Sequence, residues 1–412
     1  MERGYMRKRW NSLAVILCVS LFVMGCSEQA QNTGNDSNTA TNKTEVQTNE
    51  KQSNLDVLQP MAYGNVQGLT LEKGTSISII GRGSSSAYWT EIKAGAQRAI
   101  DDMNSMLGYK GDDKVKLTYS APATEDDVDD QVNILDEELA RYPSAIGIAA
   151  VDSGACEVQF DLAAENGIPV VAFDSGTDYQ DIVCMIDTNN MEAAAMAANK
   201  LCDMIDNEGE VIAVMHDNKS TSAKEREEGF QNTIQQKHSN VQVVEKYHLD
   251  DLEDLQKQIE LEQKEEDKTE DNGSSEPEKD GEDSDTPDVD EAAASMTQED
   301  AVKYILEKHP NVKGIYTTNE TTAKLVLSVL EELDGNDVKV VSFDGGKEQL
   351  ERLEEGSLDG LIVQNPYGIG YATVVACARA ILSQGNEAEV NAGFTWVTRD
   401  NMDSEAIQKM MY

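Results

Sequence analysis

Nine apolar runs of strand length, most of them separated by amphipathic segments of helical period, limit what this chain can become. The runs are "SISII", "VKLTY", "AIGIAA", "PVVAF", "VIAVM", "VQVVE", "GIYTT", "VKVVSF" and "GLIVQ". Helical patterns between them include Glu91–Met103, Val128–Arg141, Met191–Ile205 and Thr322–Leu333. Near-continuous apolar strands alternating with helices imply parallel sheets covered on both faces, an α/β architecture. About ten strands are too many for one small sheet, and 412 residues exceed what one core usually holds. The chain therefore reads as two Rossmann-like βαβ lobes.

An internal echo supports two lobes. "PVVAFDSGT" (Pro169–Thr177) and "KVVSFDGGK" (Lys339–Lys347) share a strand, then Phe-Asp, then small residues. Ligands of open parallel sheets sit beyond the carboxyl ends of the strands, which is where Asp174 and Asp344 fall; the alternative is that each only caps the next helix. "IIGRGSSSAYWTEIKAGAQRAI" (Ile79–Ile100) places Tyr88 and Trp89 at the same end of the first strand. Flat rings suit the C–H face of a sugar, although a hydrophobic staple at the helix start would also use them. "HDNKSTSAKEREEGFQNTI" puts Arg226 in the early turns of a helix, able to fork two hydrogen bonds to a ligand or to pair with Glu225 or Glu228 at the surface. Asn319 in "YTTNETTAKL" and Gln364 in "LIVQNPYGIGYATV" also end strands, where each could serve as a cap or turn residue.

Composition removes other functions. The formal charge of −43 excludes the basic footprint that nucleic acid or an anionic membrane surface requires. Apolar content of 39% is low, which implies segments outside any core. Glu260–Glu291 holds sixteen Asp or Glu against three Lys and reads as part of an acidic disordered insert over residues 260–296. Residues 27–70 read as a flexible tether, the stretch from Ser27 to about Asn54 being almost free of apolar residues. Before it, residues 1–26 carry Arg3, Arg7, Lys8 and Arg9, a short apolar run, and "VMGC". This resembles a bacterial lipoprotein signal, with Cys26 as the lipidated residue and the body on the extracytoplasmic face of the membrane. Cys156, Cys184, Cys202 and Cys377 lack CxxC spacing and read as buried thiols, with one disulfide left open. No HExxH, GxSxG or zinc-spaced set occurs, so neither an enzyme, a metal nor a cofactor is expected.

Taken together, "SAKEREEGF", "VVSFDGG" and "GLIVQNPYGIG" resemble bacterial periplasmic sugar-binding proteins of the ribose-binding and lac-repressor-core type, over roughly Thr75–Thr398. The resemblance implies two lobes joined by three hinge strands, with lobe I at 71–187 and 365–392 and lobe II at 188–364 and 393–412. It implies a monomer that closes on one sugar or polyol and delivers it to ABC permease subunits; a sensor subunit docking on a membrane receptor or histidine kinase is the alternative. It further implies that Tyr88 and Trp89 stack on the ligand, Asp174 and Arg226 hold its hydroxyls, and Asn319, Asp344 and Gln364 complete the second-lobe set. Arg82 and Ser86 align with first-loop contacts. Ser175 stands where ribose binders carry arginine, and Leu249 or His248 where they carry an aromatic, so the resemblance implies a sugar or similar polyol without specifying ribose.

Overall fold

The computed structural model describes residues 51–271, 296–333 and 337–412. The leader, Cys26, the first half of the proposed tether and most of the acidic stretch lie outside these residues. Among the described residues no helix is long and apolar enough to cross a membrane.

Two six-stranded sheets organise the chain. The first has the order β11-β5-β4-β3-β1-β2, with β1 at Ser76–Ile80, β2 at Lys116–Ser120, β3 at Ala145–Ile148, β4 at Val170–Phe173, β5 at Met185–Asp187 and β11 at Glu389–Asn391. All its pairings are parallel. The second has the order β12-β10-β9-β8-β6-β7, with β6 at Gly209–Met215, β7 at Val241–His248, β8 at Val312–Thr317, β9 at Lys339–Phe343, β10 at Gly360–Gln364 and β12 at Phe394–Val397. Only the β10–β12 pair is antiparallel. All nine apolar runs are strands; β5, β11 and β12 are additional and short. The chain passes between the sheets three times, after β5, after β10 and between β11 and β12, which gives two α/β lobes.

Each lobe buries an apolar core between its sheet and flanking helices. In lobe I the helices Ala87–Leu107 and Pro366–Ile381 cross at Gly95 and Gly370, where a Cβ would meet the facing backbone at about 2 Å. In lobe II, Gly229 on the helix Thr221–Lys237 plays the same part, a Cβ there falling 2.6 Å from the Met191 carbonyl oxygen. Among the described residues, Cys156, Cys184, Cys202 and Cys377 are buried free thiols.

Two sequence expectations change. Residues 51–70 are not a tether: Leu55, Leu58, Tyr63, Val66 and Leu69 are buried in the core of lobe I. The Tyr63 hydroxyl donates to Asn386 Oδ1 at 3.1 Å and accepts from the Glu387 N–H at 2.8 Å. Asn365 Nδ2, at the second crossing, donates to the Asn54 carbonyl at 2.7 Å and to the Ala392 carbonyl at 2.9 Å. One side chain thus ties the early segment to two of the three crossings. The acidic stretch likewise does not begin as a disordered insert at 260. A helix runs from Leu252 to Asp271, Leu252 and Leu255 pack on the lobe II core, and Glu262 accepts from the Tyr304 hydroxyl at 2.5 Å and from Lys308 Nζ at 3.2 Å.

Candidate functional site

The carboxyl ends of β1, β4, β6, β8, β9 and β10 converge on one cavity of about 1280 Å³ between the lobes. Its lining includes all nine residues singled out in the sequence: Arg82, Ser86, Tyr88, Trp89, Asp174, Arg226, Asn319, Asp344 and Gln364.

The paired aspartates occupy matching backbone states. Asp174 follows β4 with φ 57° and Asp344 follows β9 with φ 79°, a left-handed conformation uncommon outside glycine and enriched for Asp and Asn. Asp344 leaves its own helix, whose N-cap is Gly346; its Oδ2 accepts from the Glu320 N–H at 2.9 Å and its Oδ1 from Gln364 Nε2 at 2.6 Å. Asp174 accepts from the Tyr88 hydroxyl. Burial pushes both carboxyls above the ordinary carboxylate range; Arg226 opposes the rise in each case, as does the Tyr88 hydrogen bond at Asp174.

Gln364 is the junction of the site. Its Oε1 accepts from Arg226 Nη2 at 3.0 Å and from the Thr188 hydroxyl at the first crossing at 2.9 Å, and the Tyr88 hydroxyl of lobe I lies 3.5 Å away. Arg226 is not paired at the surface with Glu225 or Glu228. It is 4% exposed, donates through Nε to Asn190 Oδ1 at 2.8 Å and through Nη1 to the Thr318 carbonyl at 2.7 Å, and lies 4.3 Å over the Phe343 ring. Glu225 accepts from Asn190 instead, at 3.1 Å. Guanidinium and amide therefore hold each other in fixed rotamers.

Ser86 caps the helix that begins at Ala87, accepting from the Trp89 N–H at 3.4 Å. Asn319 caps the helix Glu320–Glu332, accepting from the Thr322 N–H at 2.9 Å. Both serve as caps while lining the cavity. Tyr88 and Trp89 are buried and meet edge to face at 5.4 Å, and Tyr412 also meets Tyr88 edge to face, at 5.5 Å.

At the cleft edge the lobes touch. Arg82 of lobe I donates through Nε to the Glu125 carbonyl at 2.7 Å and forms a buried ion pair with Asp217 of lobe II. Burial works against the Asp217 charge, yet Arg82 and the Ser220 N–H hold the carboxyl well below its ordinary range. Burial pushes the neighbouring His216 imidazole down to about 3, so it is neutral. The Thr221 N–H donates to the Ser175 carbonyl at 3.0 Å, and Lys224 Nζ to the Ser153 hydroxyl at 3.1 Å.

Sequence reasoning missed Glu125, His216, Asp217 and Tyr412. The strand-end position that selected Asp174 also applies to His216 and Asp217 after β6, and to Glu125 beyond β2, but Glu125 is hidden in the acidic run "TEDDVDD". Tyr412 had no local signal. Among the described residues no group of three or more His, Cys, Asp or Glu side chains is arranged to hold a metal ion.

The chain matches the model of a family described as "Periplasmic binding protein domain" over residues 77–262 and 283–386. It is 22% identical over 302 residues to the ribose import binding protein of Escherichia coli (strain K12), spanning 73% of this chain and 83% of that protein. The corresponding Bacillus subtilis (strain 168) protein is 21% identical over 248 residues, 60% of this chain and 66% of the other, so the match spans slightly less than two thirds of that relative. Among solved structures, a carbohydrate transporter solute binding protein of Agrobacterium radiobacter in complex with D-arabinose superposes with a TM-score of 0.65 at 24% identity, covering 83% of this chain and all of the other. An ABC transporter solute binding protein of Agrobacterium vitis with bound D-fucose gives the same TM-score at 21% identity, covering 82% of this chain and 100% of the other.

Proposed function

The chain belongs to the periplasmic binding protein domain family, a solute-binding and non-catalytic fold, and on that premise we propose that it captures a small sugar or related polyol between its lobes. The observation that carries this reading is the pair Asp174 and Asp344. One carboxyl from each lobe, held in a left-handed turn at a strand end, faces the same cavity. A carboxylate accepts hydrogen bonds from two adjacent hydroxyls, and Gln364, fixed by Arg226, links Asp344 to the Tyr88 hydroxyl that donates to Asp174. A ligand held by both lobes stabilises the closed form by its differential affinity for that form.

Relatives named for ribose and D-apiose import, and structural neighbours named as ABC transporter solute binding proteins, support delivery to an ABC importer. The leader and "VMGC" support lipid attachment through Cys26 at the extracytoplasmic face.

A thermal-shift panel of pentoses, hexoses, their 6-deoxy forms and alditols tests the reading. A ligand at a hundred times its dissociation constant stabilises the fold by about 2.7 kcal/mol, so at least one member is expected to raise the melting temperature in a saturable way. A flat panel would remove the polyol reading.

A further inference from the structure

One short stretch of lobe II, "DNKSTSAK" (Asp217–Lys224) after β6, makes four hydrogen bonds to lobe I. Asp217 accepts from Arg82, and the Lys219 carbonyl accepts from the Ser153 N–H at 3.4 Å. The Thr221 N–H donates to the Ser175 carbonyl at 3.0 Å, and Lys224 Nζ donates to the Ser153 hydroxyl at 3.1 Å. None of these bonds involves a ligand. Their place in the sheets gives them leverage. Every crossing begins on one of the first two strands of its sheet order: β5, β10 and β11. Arg82 follows β1 and Asp217 follows β6, and each of these is the fifth strand of its order. Three strand spacings, about 14 Å, separate that strand from the nearest crossing strand, so rotation about the crossings parts the pair.

Both partners are fixed before they meet. Asp217 Oδ1 accepts from the Lys219 N–H at 3.0 Å, the Ser220 N–H at 2.8 Å and the Ser220 hydroxyl at 2.9 Å, all within lobe II, while Oδ2 faces Arg82. Arg82 Nε donates to the Glu125 carbonyl at 2.7 Å within lobe I. Closure therefore costs little side-chain entropy, and the pair is buried, where salt screens it weakly. The two surfaces also fit closely. A Cβ on Gly176 of lobe I would fall 3.1 Å from Thr221 Cβ across the cleft.

We propose that Arg82 and Asp217 form a latch that holds the lobes closed by protein contacts alone, so that a sugar enters and leaves only when the latch parts. This assigns Arg82 to closure rather than to the ligand. The proposal goes beyond sugar capture, and its test uses no sugar, so its failure is separate from failure of the polyol reading.

The test is hydrogen–deuterium exchange of the full chain without sugar, read at single amides. The Thr221 and Ser153 amides are bonded across the cleft, so their protection measures closure. Both are expected to exchange slowly in wild type. Arg82→Met keeps a long side chain, removes the charge and leaves Asp217 buried without its partner. It should speed exchange at Thr221 about ten- to a hundred-fold, the usual worth of a charge-assisted bond, while amides within β1 and β6 keep wild-type protection. Fast exchange at both amides in wild type would overturn the inference, as would unchanged protection at Thr221 in the variant. Loss of protection that extends to β1 and β6 would show unfolding in place of opening, and would overturn it too. Should Arg82→Met fail to fold, Asp217→Asn read at the Ser153 amide decides on the same terms.

Discussion

Gly370→Ala is expected to destabilise the protein by about 3 kcal/mol or more, the upper end of overpacking costs. On propensity alone the sign would be opposite, since alanine is favoured over glycine within a helix by about 1 kcal/mol. Packing decides. A Cβ at 370 would sit 1.9 Å from the Ile92 carbonyl oxygen and 3.0 Å from the Ala96 nitrogen. The obstacle is the backbone of the facing helix, which cannot rotate away as a side chain can. Gly95 meets Tyr367 in the same manner, at 2.0 Å from its carbonyl oxygen. The two helices would have to separate, uncovering Ile92, Ala96, Ile369 and Ala372 of the lobe I core. Urea unfolding followed by circular dichroism measures the effect as a lowered midpoint. An unchanged or raised midpoint would show that the helices can part without loss.

Arg226→Ala should weaken both the fold and ligand binding. The variant leaves Gln364, Asn190 and the Thr318 carbonyl without their buried donor. It also removes a charge that offsets the burial of Asp174 and Asp344. Breaking a buried charged network by deleting one member costs about 3–5 kcal/mol, which for a chain of this size lowers the melting temperature by several degrees. Affinity for the strongest ligand from the sugar panel should fall at least ten- to a hundred-fold, the usual worth of a hydrogen bond to a charged group. Arg226→Lys should recover little, because one ammonium cannot reach the three directions the guanidinium serves. Thermal melting with calorimetry separates the two effects. A variant that melts like wild type would contradict the central position of this residue.

Much of the fold was legible because its signals are periodic. The nine strands show as apolar runs, and the Phe-Asp echo shows that two sheets end alike. The crossings were not legible from the residues. Strands β5, β11 and β12 are three or four residues long, too short to carry a pattern. Residues 51–70 were misread because Leu55, Leu58, Tyr63, Val66 and Leu69 follow neither a helical nor a strand period, and their burial comes from docking on lobe I. The helix to Asp271 was hidden by its charge, although Leu252 and Leu255 are three residues apart on one face.

The site was legible as positions rather than as a network. Strand ends pointed to Asp174, Asn319, Asp344 and Gln364. Sequence left Arg226 open between a ligand fork and a surface pair, because burial follows from the packing of Phe343, Asn190 and Gln364 around it. Glu125 and Asp217 were lost among other acids, since nothing local distinguishes a carboxyl that faces a cavity from one that faces water.

The most direct test of a ligand clamped between the lobes is calorimetric titration of the strongest panel sugar into wild type, Asp174→Asn and Asp344→Asn. These two residues come from different lobes and accept from different side chains, Asp174 from Tyr88 and Asp344 from Gln364. Each substitution keeps the shape of the side chain and removes an acceptor of ligand hydroxyls. The account predicts that each variant alone loses about ten- to a hundred-fold in affinity. Wild-type affinity in either variant would mean that the ligand engages one lobe only, and would contradict the account.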